Sequence, residues 1–572
     1  MDINSEIITT LLKEIEVIRR RKIVDYKNIN LLQYIDPYDN LSKLSVHNNH
    51  LIFGRRGSGK TTLVLATLQR NKKDIASVQD VQSIKDFDSN LIIIKIVLKI
   101  LFDIKEQFLD EDYHMVNNTY LQQYKGLIGV FNRITRKRNV KVMEKYNTNK
   151  VFVELLDDII VLFDKLKDMP EVISYSYSTQ DITTTKSNSV KSKELNLKGN
   201  LEFTGHLETD YKQNMLKVGG LVSATCEYMQ SQKEESSLEK KVDIKSQNIK
   251  ELRKKDILKE TKKTLSFTFN EFNRIKNKNV VLYLDDFYQI PIAVQPSIIQ
   301  YLHDIYKECE NSSFCFKICS LPYRLRINEE GQVDLSYKDD FSPIKLDNDL
   351  SELNMTKEYL IRIITSLNTS LAITKQDIMS LFSSEEVVLF SIIATGGVPR
   401  DFLVMFADLI RTARSDNRNN IIKDHVYSVV KNLRDDKDNN IEYDSDIDPQ
   451  KVREAIRILN DQVIEGLKTN VILYPKKLAD KHEVLLKNLT NLRYLHIIKD
   501  SVSSENKKKE DFTAYLVDMS FYAANSRIKP GFDFRRFWES DKSSRLTQLR
   551  TSKIWNFPED FLAINNIHNN TK

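Results

Sequence analysis

The chain has 572 residues, too many for one ordinary domain, and its 41% hydrophobic content is ample for packed cores. Its net charge of +6 is too small to mark the whole molecule as a binder of polyanions, but residues 451–572 hold 22 Lys+Arg against 15 Asp+Glu, so the basic excess is C-terminal. The longest apolar run, LIIIKIVLKILFDI at 91–104, is broken by Lys95 and Lys99 and is too short to span a bilayer.

The opening Met1-Asp2-Ile3-Asn4 lacks the basic n-region of a secretory signal, so a cytoplasmic location without membrane contact is expected. Residues 1–45 form an N-terminal segment whose Ile7, Leu11, Leu12, Ile15 and Ile18 repeat at helical spacing and run into the basic cluster Arg19-Arg20-Arg21-Lys22. Pro37 and Asp39 then mark a loop, and a first strand is predicted at about 49–54. A second strand is expected near 75–84, a buried helix through 91–110, and helix over 112–170 with a basic patch at Arg133, Arg136, Lys137 and Arg138.

The strand at 49–54 opens onto Gly54-Arg55-Arg56-Gly57-Ser58-Gly59-Lys60-Thr61, a full match to G-x-x-x-x-G-K-[ST], with Thr62 beginning an amphipathic helix. The chemistry needs each residue type. Glycines let backbone N–H groups converge on phosphate oxygens at a helix N-terminus, Lys60 reaches the β/γ-phosphates, and the Thr61 hydroxyl binds Mg²⁺. Residues 54–62 are therefore expected to hold the phosphates of ATP.

Composition changes at about 173, where SYSYSTQDITTTKSNSVKSK is polar and lacks a helical period. Leu195, Leu197, Gly199, Leu201, Phe203, Gly205 and Leu207 then alternate with polar residues as strands do, and 230–263 is charged and expected to be helical. Residues 173–264 read as a partly β, partly helical insertion between 46–172 and 265–350, either a solvated excursion or an interaction arm.

Apolar strands return at 279–290 and 313–322 with a helix between them, so a parallel, doubly wound sheet is expected. The first ends in Asp285-Asp286. Asp285 is placed to hold the Mg²⁺, and Asp286 to orient or deprotonate the attacking water. Ser320 ends the second strand as a polar sensor of the γ-phosphate. Cys315 and Cys319 share a strand face, with no second Cys or His pair to complete a metal site, and read as buried thiols. Arg324 and Arg326 follow as candidate fingers toward a neighbouring subunit.

Residues 351–435 are helical, and TGGVPRDFL at 395–403 joins two of the helices. Gly396 and Gly397 suit a helix end and Pro399 a helix start, leaving Arg400 either to close a lid onto the γ-phosphate or to sit on the surface of a capped turn. An acidic linker is expected at 436–449. Residues 450–572 follow, with helices near 450–468 and 478–490 and strands in LRYLHIIK and FTAYLVDMSFY joined by Lys507-Lys508-Lys509.

In this order the parts resemble the AAA+ ATPases of the origin-recognition and initiator clade. LDDFYQIPIAVQPSIIQYLHDI, FKICSLPYRLRI and AYLVDMSFYAANSR look more closely like a bacterial ORC-type AAA+ family, some of whose members occur in mobile or defence-associated loci. The resemblance covers roughly 45–172, 265–435 and 450–540. It implies an α/β P-loop AAA+ core with a helical lid and a C-terminal winged-helix-like domain, and the roles above for Lys60, Thr61, Asp285, Asp286, Ser320 and Arg400. It also implies a homo-oligomer and duplex DNA contacted by the C-terminal domain, where Lys507, Lys508, Lys509, Arg535, Arg536 and Arg545 supply charge.

The sequence departs from that pattern at Asp286, where Glu is usual. A carboxylate one methylene shorter is poorly placed for in-line attack, so slow turnover is expected. The alternative is a signalling switch resembling the STAND NTPases, acting on a separate effector protein without DNA contact. A nuclease or other effector within the chain has no candidate carboxylate or His cluster.

Overall fold

The structure, a computed structural model, describes residues 1–19, 34–124, 140–177 and 248–561, leaving aside 323, 330, 332–333, 348–349, 446, 508, 524–530, 538–541 and 559–560. The cluster Arg20–Lys22, the patch 133–138, the alternating stretch 195–207 and Lys508 lie outside the described residues.

The central sheet is built from β1 (His50–Phe53), β2 (Ile75–Asp80), β5 (Val280–Asp285), β6 (Phe314–Ser320) and β7 (Ser342–Lys345), with β3 (Val172–Tyr177) and β4 (Asn248–Arg253) paired apart from it. Its order is β2-β5-β6-β1-β7 and every pairing is parallel. Alternate residues of its strands enter different cores, as a strand's period of two requires. Leu51, Leu282 and Phe316 pack with the helices Ser89–Phe108, Lys254–Lys276 and Gln295–Glu308. Ile52, Val281, Cys315 and Cys319 pack with Leu63 and Val64 of the helix Lys60–Arg70. Burial pushes the Cys315 thiol up to about 11 and that of Cys319 well above its usual value.

Two expected boundaries differ from the structure. The charged helix expected within 230–263 runs Lys254–Lys276 and buries Ile257, Leu258, Leu265, Phe269 and Phe272 in the sheet's larger core. Lysines and glutamates on its outer face mask this stripe in the composition. The antiparallel β3–β4 ribbon pairs Tyr177 with Asn248. The acidic stretch expected as a linker at 436–449 is helical to Asp444, because the helix Lys423–Asp444 continues the lid through it. There Asp438 pairs with Arg434, and Glu442 with Arg453.

The lid comprises helices Leu353–Ser366, Lys375–Ser380, Glu385–Ala394, Pro399–Ser415 and Lys423–Asp444. The N-terminal helix Glu6–Arg19 packs on it, burying Leu11, Leu12 and Ile15 in the lid core, with Arg414 donating to Ile3 O at 2.8 Å.

Beyond the lid, helix Pro449–Ile458 continues as a π-helical stretch to Leu467, followed by β8 (Val471–Pro475), helices Lys476–Ala479 and Glu483–Asn491, and the hairpin β9 (Leu495–Ser503) and β10 (Asp511–Val517). A short β11 (Lys553–Ile554) completes the order β11-β8-β10-β9. Lid and C-terminal part share one continuous hydrophobic core, from Phe402 and Phe406 to Leu473, Leu489 and Leu516.

Candidate functional site

β1 is an apolar strand that delivers the chain to Gly54 at the C-terminal edge of the sheet, beside the ends of β5 and β6. Gly54 N–H bonds Ser320 O at 3.3 Å, so the start of the loop is pinned to the end of β6. Gly57 and Gly59 have φ of +83° and +96°, open to glycine and costly for any other residue.

The Lys60 ammonium is buried and donates to Gly54 O at 2.7 Å and Arg55 O at 3.1 Å, and burial lowers its pKa. Thr61 Oγ1 donates to Asp285 Oδ2 at 2.7 Å. Asp285 is buried, and that burial together with neighbouring Asp286 raises its pKa. Asp286 takes a left-handed backbone at φ 54°, with its N–H on Asp285 Oδ1 at 3.0 Å and Gln289 Nε2 on its carboxylate at 3.4 Å. Ser58 and Ser320 each bury a hydroxyl with no protein partner. A hydroxyl and a carboxylate converging at hydrogen-bond distance are the hard oxygen donors that Mg²⁺ takes, so the residues fit that cation.

The lid reaches the loop directly. Arg400 N–H bonds Gly57 O at 3.3 Å, and a Cβ at Gly57 would lie 2.9 Å from the Arg400 Cβ. Arg55 is directed to the lid. Its backbone N–H is held by Asp347 at 2.9 Å, and its guanidinium donates to Gly396 O at 3.0 Å, tying loop to lid. Thr62 lies half-buried in the first turn of the helix after the loop.

Arg324 and Arg326 part company. Arg326 is exposed, whereas Arg324 turns into its own chain and joins Arg56 and Lys60 around the ring of Tyr288, at 6.0, 5.6 and 5.8 Å from its centroid. Arg324 is half-buried at this ring, whereas Arg326 faces solvent.

Sequence reasoning missed the contribution of the C-terminal part. Arg493, at the end of helix Glu483–Asn491, donates to Arg56 O at 3.2 Å and pairs with Asp401 of the lid at 2.8 Å. Beside it, buried Asp518 accepts from Lys437 and His496, each at 2.9 Å. Burial alone would raise the Asp518 pKa, but these two neighbours hold it far below the usual carboxylate range. More than four hundred residues separate Arg56 from Arg493, a distance no local pattern bridges.

Of the basic residues expected to face DNA, Lys507 and Lys509 are exposed in the β9–β10 loop. Arg535 is instead held by Asp533 and Thr551, Arg536 lies 3.6 Å from Glu386 of the lid, and Arg545 is half-buried.

The strand order, with the P-loop strand between β6 and β7 and an acid pair at the end of β5, defines an α/β P-loop fold of the AAA+ type with a helical lid. No protein-family model and no curated protein matches the chain. Among solved structures, Cdc6p from Pyrobaculum aerophilum is similar over 86% of this chain and 94% of its own, at 10% identity and a TM-score of 0.30. The RuvB Holliday junction branch migration motor of Thermotoga maritima is similar over 45% of this chain and 80% of its own, at 14% identity and a TM-score of 0.22. Both TM-scores are low, and the fold class rests on strand order and loop geometry. No helix among the described residues is long and apolar enough to cross a membrane.

Proposed function

We propose that this chain is an AAA+ nucleotide switch that binds ATP with Mg²⁺ at residues 54–62, hydrolyses it slowly, and uses its nucleotide state to control duplex DNA binding and assembly with further copies. The observation that carries the reading is the convergence of Lys60, Thr61 and Asp285 under a lid whose Arg400 turn rests on Gly57. Mg²⁺ held by Thr61 and Asp285 would neutralise phosphate charge, and the same cation would offset the burial that raises Asp285. Lys60 binds the phosphates, Ser320 and Arg400 respond to the terminal one, and Asp286 positions water. The short Asp286 side chain, held by its own backbone turn, favours slow turnover.

Exposed Lys507 and Lys509 support DNA contact through the β9–β10 hairpin, in a helix–strand–helix–helix–hairpin order that suits a winged helix. A second reading has its own support. The C-terminal part grips the P-loop through Arg493, as expected of a self-restrained switch that releases a protein effector site. Hydrolysis by the purified chain with and without duplex DNA, beside Lys60→Ala and Asp286→Asn, separates the two. Stimulation by DNA, lost in both variants, supports the DNA-linked switch. Hydrolysis indifferent to DNA supports the effector switch, and absence of nucleotide binding overturns both.

A further inference from the structure

A cavity of about 300 Å³ lies where P-loop, lid and C-terminal part meet. Arg56, Arg324, Arg400, Lys437 and Arg493 line it, so each of the three bodies contributes cations. Only two acids, Asp401 and Asp518, line it with them, and Asp518 already accepts from Lys437 and His496. Arg56 and Arg324 share the Tyr288 ring with Lys60, which places this chamber next to the phosphate loop.

The backbone at Arg493 adds an independent observation. The helix before it ends in a Schellman turn, with Tyr494 N–H on Leu489 O at 2.8 Å and Arg493 N–H on Thr490 O at 3.1 Å. The left-handed position of that turn ordinarily carries Gly or Asn, yet here φ 66° belongs to an arginine. Positive φ recurs at other non-glycine residues, Lys468 among them, so what sets Arg493 apart is that its guanidinium reaches both Arg56 O and Asp401 beside the cationic chamber. A guanidinium is also the side chain best shaped to grip phosphate oxygens in a fork.

The geometry points to this chamber as a phosphate-binding site in which Arg493 of the C-terminal part, with Arg400 and Arg324, grips the terminal phosphate of the nucleotide held by the P-loop. It rests on the nucleotide reading above and adds to it how the C-terminal part senses triphosphate in its own chain. Arg493 then exchanges Asp401 for phosphate, which loosens its tie to the lid helix Pro399–Ser415.

The test uses the full chain, Mg²⁺ and fluorescent ADP or a non-hydrolysable ATP analogue. Arg493→Ala is expected to weaken the triphosphate about tenfold or more, the loss of a charge-assisted contact, and to leave the diphosphate within about twofold. Asp401→Asn breaks the same ion pair but leaves the guanidinium available, so triphosphate affinity is expected to hold or rise. If Arg493 were only a strut, the two variants would behave alike and shift both nucleotides equally, and that result overturns the proposal.

Pyrophosphate identifies the source of the anion by thermal shift. Stabilisation lost in both Lys60→Ala and Arg493→Ala means phosphate shared with the P-loop. Stabilisation kept in Lys60→Ala and lost in Arg493→Ala means a separate phosphoanion in the chamber, and stabilisation indifferent to Arg493 counts against the site. A wild-type chain that binds neither nucleotide refutes the nucleotide reading, while the pyrophosphate arm still judges the chamber.

Discussion

Gly396 of the lid lies against His496 of the C-terminal part, and replacing it with alanine tests that contact quantitatively. A Cβ there would lie 2.2 Å from His496 Nδ1 and 2.6 Å from Cε1, on a ring buried and bonded to Asp518. The backbone at φ 59° also disfavours any side chain, by about 1 kcal/mol for alanine. Two neighbouring glycines separate these effects. Gly59 has φ 96° with nothing within 4 Å, and Gly397 has φ 72° with Thr356 Cγ2 at 3.1 Å. Gly59→Ala thus reports backbone strain, Gly397→Ala adds mild crowding, and Gly396→Ala adds displacement of a packed ring, worth about 1–3 kcal/mol more.

Chemical denaturation of the nucleotide-free protein, followed by the fluorescence of its two tryptophans, Trp538 and Trp555, ranks the three. A His496→Ala partner makes room for the methyl, so a double-mutant cycle should recover much of the excess. If Gly396→Ala is no more damaging than Gly59→Ala, or the cycle shows no coupling, the docking described here is wrong.

Four further outcomes are expected. Lys60→Ala should weaken triphosphate binding about tenfold or more in a direct titration, because a buried ammonium is lost from the loop. Asp286→Asn should keep nucleotide affinity and lower single-turnover hydrolysis by about 100-fold, and unchanged hydrolysis would remove Asp286 from the chemistry. Lys507→Ala and Lys509→Ala should each reduce the salt slope of any duplex DNA affinity by about 0.9, and an unaltered slope would place DNA elsewhere or nowhere on the chain.

Acid should loosen the C-terminal part from the lid. Burial lowers the folded pKa of His496 against an unfolded value of about 6.5, so its contribution is complete above that pH and declines below it. Asp518, depressed by Lys437 and His496, contributes above about pH 3.9 and is lost further into acid. Hydrogen exchange across 483–503 should therefore quicken from about pH 6 downward after correction for intrinsic rates, and less so in His496→Gln. Equal acceleration in that variant would acquit the histidine.

The loop at 54–61 was legible as a strand-to-helix turn because its pattern is local. Glycines at 54, 57 and 59 with Lys60 and Thr61 at fixed spacing carry the proposed phosphate site, and the apolar strand ending in Asp285-Asp286 brings its acid to Thr61. The parallel sheet followed from the alternation of apolar strands with helices, but its strand order and the edge strand Ser342–Lys345 did not. What lay beyond the sequence was distant pairing. The stripe Ile257 to Phe272 is hidden among lysines until the sheet buries it, and an acidic run such as 436–444 looks like linker until its helix has partners. Arg324 offered only a position after β6, and its place beside Arg56 at the Tyr288 ring depended on the tertiary fold. Arg493 is one arginine among many until packing of Leu489 and Leu516 with the lid carries it to the P-loop. Spacing along the chain sets local backbone chemistry, but which charges share a cavity is decided by the hydrophobic cores that bring remote segments together.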